Sequence, residues 1–112
     1  MSLQTTWLTS DRVGAAFGFS AVALGAFGAH ALKGRLGPEA MGWFQTGVQY
    51  HLAHALAILV TRDHRWFAPG IVLFSGSLYA MALGGPRALG MLTPLGGVAF
   101  LLGWGVVFRR GR

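Results

Sequence analysis

Charged side chains fall in five tight groups along this sequence, and between them run four long stretches with no charge at all. Val13 to Leu32, Ala40 to Thr61, Trp66 to Pro86 and Ala88 to Phe108 are charge-free over 20, 22, 21 and 21 residues. A hydrocarbon core of ~30 Å is crossed by about 20 helical residues. The pattern therefore predicts an all-α polytopic membrane protein: four transmembrane helices in one compact bundle, over about 13–32, 40–61, 66–84 and 92–108. Residues 1–112 form a single membrane domain, because the intervening segments are too short to hold another.

Glycine and proline sharpen the picture. Gly14, Gly18, Ala21, Gly25, Gly28 and Leu32 recur every three or four residues, a small-residue seam on the first helix. Gly96, Ala99 and Gly103 repeat it on the fourth, and Gly76, Ala80 and Gly84 on the third. Such seams let membrane helices approach closely, where van der Waals fit and hydrogen bonds drive association. Pro38 falls in the first loop and Pro69 in the opening turn of the third helix. Gly84-Gly85-Pro86 ends that helix, and Thr93-Pro94 reads as an N-cap followed by proline at the first helical position. A cleaved signal peptide ending at Ala29-His30-Ala31 is disfavoured, because the run is a full span and carries packing glycines a discarded segment does not need.

Composition agrees. Hydrophobic residues make up 54% and charged residues only 11%, against ~25% charged in soluble domains. The absence of cysteine removes disulfides and thiolate metal sites. A net charge of +6 would suggest nucleic acid in a soluble protein, but here the basic residues sit only at the ends of apolar runs. They read as interface anchors and topology signals, with no nucleic-acid partner. Arg12, Arg62, Arg65, Arg109, Arg110 and Arg112 lie on one side and Lys33, Arg35 and Arg87 on the other, which predicts cytoplasmic N and C termini.

Polar groups at membrane depth are where function is to be sought. The candidate cluster is His30, Gln49, Tyr50, His51, His54, Ser75, Ser77 and Tyr79. On a helical projection Thr46, Gln49, Tyr50, His51 and His54 share one broad arc of the second helix, leaving Phe44, Val48, Leu52, Ala55, Leu56 and Leu59 toward lipid. Ser75, Ser77 and Tyr79 lie at a depth where they can meet His51. Haem ligation by His30 with His51 or His54 is disfavoured by the mismatch in depth. A proton-coupled carrier ordinarily needs a membrane carboxylate, and Asp11, Glu39 and Asp63 all sit at run ends. His51 and His54 lack the glutamate and third ligand of a metalloprotease motif, and no phosphate loop is present. No catalytic residue, metal or cofactor is assigned. His64, between Asp63 and Arg65, reads as a solvated loop residue.

Several motifs are specific in combination. Gly25-Ala26-Phe27-Gly28-Ala29-His30-Ala31-Leu32, Phe44-Gln45-Thr46-Gly47 with Tyr50 and His54, and Leu73-Phe74-Ser75-Gly76-Ser77-Leu78-Tyr79 are three of them. Thr93-Pro94-Leu95-Gly96-Gly97 with Gly103-Trp104 is a fourth. Together they resemble the domain-of-unknown-function 423 family (UPF0382), small bacterial inner-membrane proteins with animal relatives called transmembrane protein 256. The resemblance implies four membrane helices and no known activity. It also implies His30, Tyr50 and His54 as the family positions, with position 51 taking Gln as well as His.

The expectation is therefore a multi-pass inner-membrane protein, not an enzyme, that acts structurally or as an assembly partner. Its partners are the lipid bilayer and either further copies of itself or other membrane proteins. The runner-up is a channel or transporter for protons or a small solute along a His/Tyr/Ser-lined path.

Overall fold

The computed structural model describes residues 3–111, all of whose regular structure is helical. Four helical rods coincide with the four charge-free stretches. The first is α1 (Leu3–Phe27), which widens into a π turn at Gly28–Leu32. Its helix starts ten residues before Val13, because loss of charge marks the apolar segment and not the helix end. Asp11 and Arg12 thus ride on helical backbone.

The second rod is α2 (Pro38–Thr61). Pro38 is not in the loop but opens the helix, where its missing N–H has no partner to lose, and Glu39 follows at the positive end of the helix dipole. Arg62 closes α2 in the left-handed region at φ 56°, its N–H bonding to the Ile58 carbonyl.

The third rod has three parts. α3 (Phe67–Gly70) leads into a π turn at Ile71–Ser75, then α4 (Gly76–Ala82). α3 packs on α5 (Leu92–Arg110) and α4 packs mainly on α2, so the wide turn is where the rod changes neighbours. Gly84 at φ 106° ends it: Gly84 N–H bonds to Met81 O and Gly85 N–H to Ala80 O, the paired bonds of a Schellman cap. A 3₁₀ turn at Arg87–Met91 leads into α5. Thr93 therefore lies inside the first turn of α5 and does not cap it; its hydroxyl crosses to Ser77 instead.

α2 is the central helix, covered by α1 on one side and by the third rod on the other. Burial on two faces explains why Phe44 and Ala55, expected toward lipid, are in the core at 1% and 0% exposure. Leu52 and Leu56 do face outward. The seam of α1 closes on α2: a methyl group at Gly14 would meet Leu59, and one at Gly28 would meet Phe44. The seam of α5 closes on the third rod, with Gly96 against the Phe74 backbone and Gly103 against the Phe67 ring. The third rod itself is approached through Gly70, packed on Phe100; Gly76 faces open space.

The outer surface is apolar, with Phe19, Val22, Leu101 and Phe108 among its exposed residues. Two helices, Trp7–Leu32 and Arg87–Arg110, are long and apolar enough to cross a membrane, and Phe67–Ala82 is a shorter apolar helix. One end of the bundle gathers Ser10, Arg62 to Arg65 and Arg110; Arg112, counted on that side in the sequence, lies outside the described residues. The other end pairs Arg87 with Glu39 at 2.7 Å and sets its guanidinium over Trp43.

Candidate functional site

Polar side chains at the middle of the bundle form two separate networks around the histidines of α2. In the first, His51 Nε2 lies 3.0 Å from Ser20 Oγ on α1, and His51 Nδ1 lies 2.8 Å from the Tyr79 hydroxyl on α4. Ser20 has one proton, which it donates to the Phe17 carbonyl at 3.0 Å. It must therefore accept from His51 Nε2–H, and Tyr79 O–H donates to Nδ1. The result is a directed chain from Tyr79 through His51 and Ser20 to a backbone carbonyl, tying three helices together.

The second network is built on His54, one turn further on. Its Nδ1 lies 2.8 Å from the Tyr50 carbonyl, which can only accept, so the proton is on Nδ1. Its Nε2 accepts from Trp104 Nε1–H of α5 at 3.1 Å. The ring stacks on Phe100, with centroids 3.7 Å apart and planes 7° from parallel. Tyr50 lies beside it, half exposed, with its ring on Phe74. An open groove of about 510 Å³ runs between α2, Phe74 and α5, walled by Tyr50, His54, Phe74, Phe100 and Trp104.

Ser75 and Ser77 serve the backbone. Ser75 O–H donates to the Gly47 carbonyl at 2.7 Å, at a crossing where Gly47 admits the Tyr79 ring. Ser77 O–H donates to the Phe74 carbonyl of its own rod and accepts from the Thr93 hydroxyl, joining that rod to α5. Of the eight candidates, His51 and Tyr79 share one network, Tyr50 and His54 the other, and the two serines brace the third rod. Gln49 lies exposed on α2, and His30 lies exposed on the π turn of α1, outside both networks. Ser20 and Trp104 complete the networks and were not among the candidates, because a lone serine in an apolar run and a tryptophan near a span end carry no signal of their own.

The charged end of the bundle is organised as well. Asp63 takes a two-pronged ion pair from Arg65, at 3.0 and 2.9 Å, and Arg110 stands 3.8 Å away. The Arg65 hydrogen bond holds the Asp63 carboxyl below the usual carboxylate range, against the opposing effect of its burial. Arg110 also bonds to the Thr61 carbonyl at the end of α2. His64 is half-buried rather than solvated, with Nδ1 3.0 Å from Ser10 Oγ on α1. Among the described residues no group of three or more His, Cys, Asp or Glu side chains is placed to hold a metal ion.

Comparison with known proteins matches this chain to relatives across most of its length. It is 50% identical over 103 residues to the UPF0382 inner membrane protein YgdD of Escherichia coli K12, covering 80% of this chain and 79% of that protein. It is 44% identical to the UPF0382 membrane protein YwdK of Bacillus subtilis, covering 82% and 86%. A UPF0382 membrane protein of Haemophilus influenzae is 41% identical, covering 78% and 80%. No solved structure matches. The family described as "Protein of unknown function (DUF423)" matches residues 24–97, a range that holds Tyr50, His51, His54 and Tyr79 but not Ser20, Phe100 or Trp104. This chain, whose relatives are named as membrane proteins, belongs to the DUF423 family.

Proposed function

We propose that the chain is a four-span protein of the cytoplasmic membrane, with both termini cytoplasmic, that acts through packing as a structural or assembly component rather than as a catalyst. The observation that carries this reading is where the buried polar groups spend their hydrogen bonds. Among the described residues, every buried side-chain nitrogen and oxygen has a partner within the bundle. The Tyr79–His51–Ser20 chain runs across the helices and stops at a backbone carbonyl, and His54 has both nitrogens engaged. Such bonds stabilise membrane helix contacts by ~0.6 kcal/mol each on average, enough to fix register.

A bundle 47 Å long matches the ~40–45 Å of a bilayer with its headgroups. α2 crosses as the covered centre of the bundle, which is how a helix carrying two buried histidines is accommodated. The larger group of arginines at one end, with Trp7 under Arg62 at 4.8 Å, supports the cytoplasmic assignment of that end. A fluorescent protein fused after Arg112 is then bright in a bacterial host; a dark fusion would overturn the orientation. Reconstituted in liposomes under a pH gradient, the protein gives no dye quenching above empty vesicles. Flux abolished by His54→Ala would replace this reading with a proton or solute path.

A further inference from the structure

We propose that the exposed flank of α2 formed by Gly42, Gln45, Thr46, Gln49 and Ala53 is the contact with a second copy of this chain. The inference rests on the membrane-spanning reading, and its starting point is a contrast on one helix. His51, His54 and Thr61 of α2 are buried and hydrogen-bonded within the bundle. Gln45, Thr46 and Gln49 are exposed, and their side chains have no hydrogen bond among the described residues. At 1.5 Å per residue Gln49 stands ~17 Å along α2 from Pro38, near the middle of a ~30 Å hydrocarbon core. Water is absent at that depth and an acyl chain offers neither donor nor acceptor, so a carboxamide there needs protein as its partner.

The surroundings are shaped for a helix. Gly25 of α1 and Gly28 and Ala29 of the π turn that follows it border Gln45 and Gln49 across a shallow groove of about 200 Å³. Small residues beside a polar group are the combination that lets one membrane helix approach another and bond to it. Chemistry selects the occupant. A glutamine amide donates and accepts at once, so two such amides satisfy each other reciprocally. Two copies inserted in the same direction and related by a two-fold axis along the membrane normal bring each glutamine to its own counterpart at equal depth. The charged residues lie elsewhere, so like charge does not oppose the pairing.

The chain has no cysteine, which makes single-cysteine cross-linking in native membranes direct. Thr46→Cys and Ala53→Cys flank the glutamines; Phe19→Cys and Leu101→Cys are exposed controls away from the groove, at 80% and 71% exposure. Under oxidation the first two give a disulfide product of twice the monomer mass and the controls do not. Adding Gln45→Leu with Gln49→Leu, which raises the apolarity of α2 and leaves both histidine networks in place, weakens association about ten-fold. The proposal is overturned by absence of the product, by equal yields at all four positions, by a product of any other mass, or by indifference to the glutamine changes. Alkaline carbonate extraction of the same membranes separates the two levels. Protein retained without cross-links defeats the interface alone, and protein released into the supernatant defeats the spanning reading beneath it.

Discussion

His51 and His54, three residues apart on α2, carry their ring protons on opposite nitrogens. His51 donates from Nε2 to Ser20 and accepts at Nδ1 from Tyr79; His54 donates from Nδ1 to the Tyr50 carbonyl and accepts at Nε2 from Trp104. Nitrogen-15 NMR of histidine-labelled protein in lipid resolves the two tautomers by chemical shift. One Nε2–H and one Nδ1–H neutral ring are expected at mid-bundle, and assignment by His51→Gln removes the first. Two rings of the same tautomer would contradict the directed chains.

Loss of either tyrosine or serine partner leaves His51 half satisfied. Tyr79→Phe and Ser20→Ala each lower stability by about 1 kcal/mol. Because both act through one ring, the double variant loses less than the total of the two singles. Thermal unfolding of the four proteins in one detergent measures the coupling, and strict additivity would show that the chain is not a unit.

Glycine positions differ sharply in what a methyl group meets. A Cβ at Gly96 would fall on the backbone nitrogen and Cα of Phe74, which no rotamer change relieves, whereas one at Gly18 meets open space. Gly96→Ala is expected to cost about 1–3 kcal/mol by forcing α5 off the third rod. Gly18→Ala is neutral or stabilises by up to ~1 kcal/mol. Equal melting temperatures for the two variants would mean that the α5 contact is looser than described.

Asp63 makes stability depend on acid. Its carboxyl is depressed by Arg65, so the folded state holds the proton less tightly than the unfolded chain. The contribution is present above the unfolded value of about 4 and is lost as pH falls through the lower folded value. Asp63→Asn should melt below the parent at neutral pH, with the difference closing toward pH 3. A gap that persists unchanged into acid would assign the effect to something other than charge.

Much of the architecture was legible because charged side chains are kept to the ends of the apolar helical rods, so the spacing of the charges marks the rods directly. Helix ends were less legible, since α1 continues through Asp11 and Arg12, and a charged residue on a helix surface does not end the helix. The faces of α2 were misread at Phe44 and Ala55 because a helical projection assumes one buried side, and a central helix has two. Tyr79 could be placed at the depth of His51 by counting residues. Ser20 and Trp104 could not, because which serine or indole meets a given imidazole depends on helix rotation, and rotation is set by contacts such as Gly14 on Leu59 and Gly103 on Phe67.

The wide turn at Ile71–Ser75 puts the third rod out of phase with itself. Relative to an uninterrupted α-helix it accommodates one additional residue, and one residue is ~100° of rotation. The two halves of a short apolar helix therefore answer to different neighbours, α5 below and α2 above. Removing a single residue there would give a smoother helix and a broken protein: with Phe67 still seated on α5, Tyr79 would swing a quarter turn away from His51. In this family member, length in that segment is a timing device, and a perfect helix would be the defect.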